Sequence, residues 1–454
     1  MALKLFPPDP GVELYKEGFG SSDLLGRKAV GEKLTRLIDN IEDPIVLAVD
    51  GAWGTGKTHF LRRWVGAHAI ENGGKALTVY FDAFQNDYLD DPLIAITSAI
   101  GTRVGTKSKS VWKKMKGAAF KLARPATRVG LAVVTHGATE FAAAAADVAI
   151  EAASKEMEKA ADDFWKKEDG RRAAMEQLRS TLISLTEGED GPRPIVVVVD
   201  ELDRCRPDYA LGILEVIKHF FTVPYVQFVL GVNLIALQDS AKARYGAGFA
   251  AEEYLRRFIS LSMRLPENIQ RGETTSVGLL YFDHVAQEMK INPDFKEILL
   301  RHLKLVMAKT PLSIRDFGRL SSYVALLLAS STVTNTIWGW QELTAAMTLM
   351  KAIRPELYSK AVSGSLTLAD IDGFYGISSA VTNRTERDAY SHDAAIVRGM
   401  WELVITGDVV SNDKEEFYRG FDNFGGRGRA QKAPGIIARD FLDIPTFAGE
   451  DKKA

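Results

Sequence analysis

A single cysteine, Cys205, stands in a chain of 454 residues. That excludes an internal disulfide framework and fits a reducing compartment. Neither sign of charge dominates: 57 Lys and Arg against 59 Asp and Glu leave a formal net charge of -2, so overall balance points to neither nucleic acid nor a membrane surface. The start, MALKLFPPDPG, lacks the apolar segment of a secretory leader. Long uncharged apolar runs are missing too. The alanine-rich stretch 117–150 is interrupted by His136, Glu140 and Asp147, with Arg124 and Arg128 at its start. It falls short of the roughly 18 uncharged apolar residues that a spanning helix needs. The expectation is a soluble, cytoplasmic chain with no membrane span. With 46% hydrophobic and 26% charged residues the composition is that of an ordinary globular protein, and the length suggests about two or three domains.

Against this background one stretch carries chemistry. GAWGTGKT, formed by Gly51, Ala52, Trp53, Gly54, Thr55, Gly56, Lys57 and Thr58, follows the apolar run Ile45 to Val49 and precedes the helical segment that opens with His59. A strand, a glycine-rich turn and a helix are the context in which G-x-x-x-x-G-K-[ST] cradles phosphate. Glycines let successive backbone N–H groups point at phosphate oxygens, and the helix adds the positive end of its dipole. Lys57 can reach the terminal phosphates, and the Thr58 hydroxyl can ligate Mg²⁺. Nucleotide binding, with ATP and Mg²⁺ as cofactors, is the expectation.

Taken in order, residues 1–20 read as an N-terminal tail. Residues 21–43 read as a helix capped by Ser22 or Asp23, with Leu34, Leu37, Ile38 and Ile41 at helical spacing. The core's first part runs over 21–100 and includes a second strand at Ala76 to Phe81. Residues 101–175 interrupt the α/β rhythm: alanine is abundant, and Glu151 with Lys155, Asp162 with Lys166 and Asp163 with Lys167 recur at i,i+4, favouring one or two long solvent-facing helices. From 101 to 130 lie Arg103, Lys107, Lys109, Lys113, Lys114, Lys116, Lys121, Arg124 and Arg128 with no acidic residue. This is either a solvated basic face or a contact for an anionic partner, nucleic acid included. The core resumes over 176–265 with strands at Ile195 to Val199, 226–233 and 259–265. Residues 266–404 read as a helical lid domain, with helices near 275–290, 294–308, 313–330 and 340–354 and no clear strand. The segment 405–454 reads as a glycine-bearing tail.

Hydrolysis also needs a carboxylate to position metal and a group to activate water. Asp200 ends IVVVV, at the carboxyl edge where ligands of open α/β sheets collect, and can hold Mg²⁺ through its water shell. Glu201 follows and is placed to polarise the attacking water. A helix cap with a first-turn acid is the structural alternative for this pair. Asn233 ends the next strand and can contact the γ-phosphate or the water, or serve only as a turn residue. Arg315, opening a helix of the later domain, is a candidate γ-phosphate contact. Arg256 and Arg257 are candidates to act on a neighbouring subunit's nucleotide in a homo-oligomer.

Together GAWGTGKT, YFDAFQNDYLDDPLIAI, VVVVDELDRCRPDYALGILEVIKHFF and FVLGVN resemble the KAP family of P-loop NTPases, over roughly residues 21–320. Trp53, the Ala83-Phe84-Gln85 step and the run Leu202-Asp203-Arg204-Cys205 are the specific features. The resemblance implies a fold related to STAND and AAA+ ATPases: an α/β P-loop NTPase parallel-sheet core, with a helical insertion and a C-terminal helical domain. It implies that the strand ending at Asp200 is not adjacent to the loop strand. Gly26 and Arg27, in LLGR, are similar to a segment that related ATPases place against adenine. Relatives often carry Asp where Asn233 stands, and transmembrane segments where this insertion is interrupted by charge. Bacterial members are often linked to defence against phages.

The resulting expectation is a KAP-type ATPase that hydrolyses Mg-ATP to switch a protein partner, with anti-phage defence as its setting. The alternatives are a nucleotide-gated scaffold with little hydrolysis, a nucleic-acid-handling ATPase using 101–130, and a small-molecule kinase.

Overall fold

The computed structural model describes residues 11–20, 23–89, 91–104, 109–122, 160–188, 191–220, 223–271, 273–330, 337–377, 389–410, 414–421 and 429–443. They fall into two compact units that divide at Pro266 and Glu267.

Four apolar segments and one mixed, largely exposed edge segment build the sheet of the first unit: β1 (Val46–Asp50), β2 (Leu77–Asp82), β3 (Ile195–Asp200), β4 (Val226–Val232) and, at the edge, β5 (Leu261–Arg264). Their order is β2-β3-β4-β1-β5, and every pair is parallel. Register places Val197 beside Val79 and Phe228, and Ala48 beside Leu230 and Ser262. So β4 separates the strand leading into GAWGTGKT from the strand ending at Asp200, as the resemblance implies.

The unbroken run IVVVVD is buried at each position because helices cover both faces. On one face Leu47, Val49, Val196, Val198 and Val229 pack with Leu34 and Ile38 of α1 (Lys28–Asp39) and Phe60, Leu61 and Trp64 of α2 (Lys57–Ile70). On the other, Ala48, Val197, Val199 and Leu230 meet α3 (Pro92–Val104), α4 (Lys109–Leu122), α5 (Ala160–Thr186), α6 (Pro207–Phe220), α7 (Leu234–Tyr245) and α8 (Ala251–Arg256). Gln227, fully buried within β4, donates its amide to Ile38 O (3.1 Å) and Ile41 O (2.6 Å). It thereby satisfies carbonyls that the end of α1 leaves open.

Local readings differ from the sequence expectation at several points. Helix α1 starts at Lys28, later than expected, and Asp23 accepts hydrogen bonds from Arg27 N (2.9 Å) and Lys28 N (2.7 Å) from the preceding turn. Ser22 lies outside the described residues. Residues 11–20 are packed rather than a tail. Phe19 is buried against Phe60, Gly18 O accepts from Arg63 Nη1 (2.6 Å), and the Tyr15 hydroxyl accepts from Tyr80 N (2.7 Å), covering edge strand β2. Arg103 leaves the basic face: its guanidinium lies 3.9 Å from the Tyr15 ring centroid and its Nε donates to Thr78 O (3.0 Å).

Of that basic face Lys113 and Lys114 are exposed on α4, while Lys107, Arg124 and Arg128 lie outside the described residues, as do the side chains of Lys109 and Lys121. The alanine-rich stretch beyond residue 122, the pair Glu151–Lys155 and the side chains of the pairs Asp162–Lys166 and Asp163–Lys167 also lie outside them. Among the described residues no helix is long and apolar enough to cross a membrane.

The second unit opens with a small hairpin, Asn268–Arg271 against Glu273–Ser276, where no strand was expected. Helices follow: α9 (Val277–Glu288), α10 (Pro293–Lys309), α11 (Ile314–Ser330), α12 (Trp338–Ile353), α13 (Pro355–Ser363), α14 (Leu368–Tyr375), α15 (Ala389–Thr406), α16 (Lys414–Arg419) and α17 (Arg429–Ile437). Helix α12 is buried along nearly its whole length, among Phe282, Leu299, Phe317 and Trp401. The region from 405 is not a tail in this unit, because Phe417 of α16 and Ala433 and Ile437 of α17 enter the same core. Its helical period is hard to read because α16 has 6 residues and α17 carries Pro434 internally.

A polar cluster sits inside this core. His302, fully buried, bridges the Tyr375 hydroxyl (2.8 Å) and Glu342 Oε2 (2.9 Å). The other Glu342 oxygen meets Arg301, whose Nε reaches Asp393 Oδ1 at 3.1 Å. Glu342→Ala is expected to cost about 1–3 kcal/mol, because it strands the buried His302 Nε2 while Arg301 keeps Asp393. Glu342→Gln, which keeps hydrogen-bonding atoms, should cost less. Urea unfolding of the full chain measures both.

Candidate functional site

The loop between β1 and α2 turns through two glycines with positive φ, Gly54 (85°) and Gly56 (84°), values that side chains with a Cβ rarely adopt. Gly56 is also the residue before the first turn of α2, so the helix N-terminus opens onto the loop. Lys57 is folded across its own loop and donates to Gly51 O (2.6 Å) and Ala52 O (3.0 Å). Burial pushes the Lys57 ammonium below its ordinary pKa, opposed by Asp203, Asp200 and Asp50.

Asp200 closes β3 and is 1% exposed. Its Oδ2 accepts from the Tyr80 hydroxyl (2.7 Å) and its Oδ1 from Glu201 N (2.9 Å). Burial pushes its carboxyl up to about 6, against the hydrogen bond from Tyr80 that favours the ionised form. Space for the carboxylate depends on Gly231 of β4, where a Cβ would stand 2.4 Å from Asp200 Oδ1 and 2.5 Å from Leu61 Cδ1.

Glu201 adopts a left-handed backbone, φ 57°, at the start of a one-turn helix Leu202–Arg204. Its carboxylate accepts from Thr58 Oγ1 (3.3 Å) and pairs with Arg204 Nη1 (2.8 Å). Asp203 in the same turn accepts from the Trp53 indole (2.5 Å), tying loop to turn. Arg27 Nη2 donates to Thr55 O (3.3 Å), so the start of α1 also touches the loop, with Gly26 just before it. His59 Nε2 accepts from Arg63 Nε (3.0 Å) along α2. The donors gathered at this edge, the Thr58 hydroxyl with the Asp200 and Glu201 carboxylates, are all oxygen, which suits a hard cation such as Mg²⁺.

Asn233 borders the loop, since Gly51 N donates to Val232 O (3.2 Å), but its side-chain oxygen caps α7 through Ile235 N and Ala236 N. Arg256 pairs with Glu252 (2.6 Å), and it and Arg257 precede β5, at the amino edge of the parallel sheet and away from the loop. Arg315 lies on α11 of the second unit. Sequence reasoning missed Tyr80, Arg62 and Gly231. In sequence Tyr80 reads as one more position of a buried strand, LTVYFD, where a second hydroxyl, Thr78, makes it inconspicuous.

The buried charge of Asp200 has a thermodynamic consequence. Its folded-state pKa of about 6 lies above the ordinary 3.8. The stability contributed by the protonated group is therefore complete below the lower value and lost as pH rises through about 6, by at most about 3 kcal/mol. Asp200→Asn removes that loss. Its gain in unfolding temperature over wild type, in ligand-free protein, should be larger at about pH 8 than at about pH 5. Thermal scans at the two values check this.

Residues 27–330 match the sequence profile described as KAP family P-loop domain. No curated protein matches the chain. Among solved structures, the chain is similar to the Aeropyrum pernix ORC2 protein in its ADPNP-ADP complexes, with 13% identity over 91% of this chain and 93% of that one and a TM-score of 0.35. The ADP form of that ORC2 protein gives 12% identity, 93% and 97% coverage and a TM-score of 0.34. Cdc6p from Pyrobaculum aerophilum gives 11%, 92% and 97%, and 0.33. Superpositions this loose add nothing to the fold that the sheet itself establishes. The profile runs from Arg27 beside the loop, through both halves of the core, to the end of α11; the chain belongs to the KAP family of P-loop NTPases.

Proposed function

We propose that the chain binds Mg-ATP at Gly51 to Thr58 and hydrolyses it to switch the state of a protein partner. The observation that carries this is the convergence of Lys57, Thr58, Asp200 and Glu201 at the carboxyl edge of one parallel sheet. Lys57 would exchange its two loop carbonyls for phosphate oxygens. Thr58 and Asp200 would hold Mg²⁺, which when bound supplies neutralising charge to the phosphates. Glu201 would polarise the attacking water and accept its proton. Arg315 is proposed as a γ-phosphate contact on its sequence alone, and Asn233 is proposed to contribute through its amide N–H group, since its oxygen serves the helix cap. Anti-phage defence is proposed on family resemblance alone.

A second reading, nucleotide-gated binding with little hydrolysis, is favoured by one specific feature. Both Glu201 oxygens are engaged, by Thr58 and Arg204. Turnover of ATP by wild type and Glu201→Gln separates the two. The hydrolytic reading expects a loss of about 100-fold or more with nucleotide binding retained. Equal turnover in both proteins would sink it.

A further inference from the structure

Beside the proposed phosphate site runs a chain of three side chains: Arg62 Nε donates to the Tyr80 hydroxyl (3.2 Å), which donates to Asp200 Oδ2 (2.7 Å). We propose that Tyr80, buttressed by Arg62, is a positioning residue that fixes the Asp200 carboxylate for Mg²⁺ and so sets the metal dependence of nucleotide binding. The proposal deepens the reading above and rests on it.

The direction of the chain is forced. A guanidinium only donates, so the Tyr80 oxygen must accept from Arg62, and its one proton can go only to Asp200. A phenol keeps its proton near neutral pH, so that donation stays in place. With Oδ2 held by Tyr80 and Oδ1 by Glu201 N (2.9 Å), rotation of the carboxylate about Cβ–Cγ is blocked. Its remaining acceptor capacity is left for Thr58 and a cation's water shell.

Arg62 adds a mechanical link. It lies on α2 one turn after Thr58, and residues four apart share a helix face. The helix that presents the metal-side hydroxyl therefore also presents the buttress. Arg62 is steadied in turn by Asp82 (3.9 Å) and by the Tyr80 ring, 5.5 Å from centroid to guanidinium. Helix α2, edge strand β2 and the end of β3 are thus fixed to one another at the carboxylate. Outer contacts of this kind typically change metal affinity by about 10–100-fold when removed.

The test measures ATP binding to the full-length protein by calorimetry, over a Mg²⁺ titration and again with the metal chelated. Tyr80→Phe removes one hydroxyl, and is expected to raise the Mg²⁺ concentration for half-saturation about 10-fold or more while leaving metal-free ATP binding unchanged. Arg62→Ala, which keeps the Tyr80 hydroxyl but frees it, should shift the same titration in the same direction by less, and stands in if the Phe variant does not fold. Equal weakening with and without Mg²⁺, or an unmoved Mg²⁺ titration, would assign Tyr80 a merely structural role and overturn the inference. If wild type shows no Mg²⁺-dependent ATP binding, the reading of the site itself is overturned.

Discussion

An aspartate that is 1% exposed at the end of a fully buried strand is the constraint to which the rest of the site answers. A carboxylate is costly to keep charged away from water unless hydrogen-bond donors surround it. The chain meets that demand with the Tyr80 hydroxyl on β2 and the backbone N–H of Glu201, and makes room for the carboxylate through Gly231 on β4, whose missing side chain leaves the space. Tyr80 and Gly231 flank Asp200 because the sheet order puts β3 between β2 and β4. Topology and chemistry therefore depend on one another here. A strand order that placed β3 at an edge would remove either the Tyr80 hydroxyl or the Gly231 gap.

The loop obeys the same logic with opposite charge. Lys57, buried, donates to the carbonyls of Gly51 and Ala52. A phosphate at that place would gain Lys57, the open end of α2 and the backbone N–H groups of the turn together. The Trp53–Asp203 hydrogen bond joins this loop to the turn that carries Glu201 and Arg204. A rearrangement of the loop around phosphate thus has a direct mechanical route to the carboxylate proposed to activate water.

Much of this was legible in the residues. GAWGTGKT and DELDRC name the loop and the carboxyl edge of β3 because their chemistry is local: turn glycines, one lysine, and acids just after an apolar run. Buried strands were readable because a doubly covered sheet demands continuous apolar stretches. What could not be read depends on tertiary placement. Tyr80 looks like any β-strand aromatic until the sheet order sets it beside Asp200. Gly231 looks like a weak spot in a strand until Asp200 fills the space above it. Arg103 counted as part of a basic face, yet it stacks on Tyr15. Asn233 stood between a phosphate contact and a turn residue, and its oxygen caps α7. The second unit's last helices were missed because short, proline-interrupted helices carry too few turns to show a period.

The central claim is that Lys57, Thr58 and Asp200 form one phosphate and metal site. A crystal structure of the full chain with Mg²⁺ and a non-hydrolysable ATP analogue tests it most directly. The account predicts the Lys57 ammonium detached from Gly51 O and Ala52 O and placed on phosphate oxygens, with the metal between Thr58 and the Asp200 side. A nucleotide bound elsewhere, or a Lys57 still on the two carbonyls with the analogue present, would contradict it.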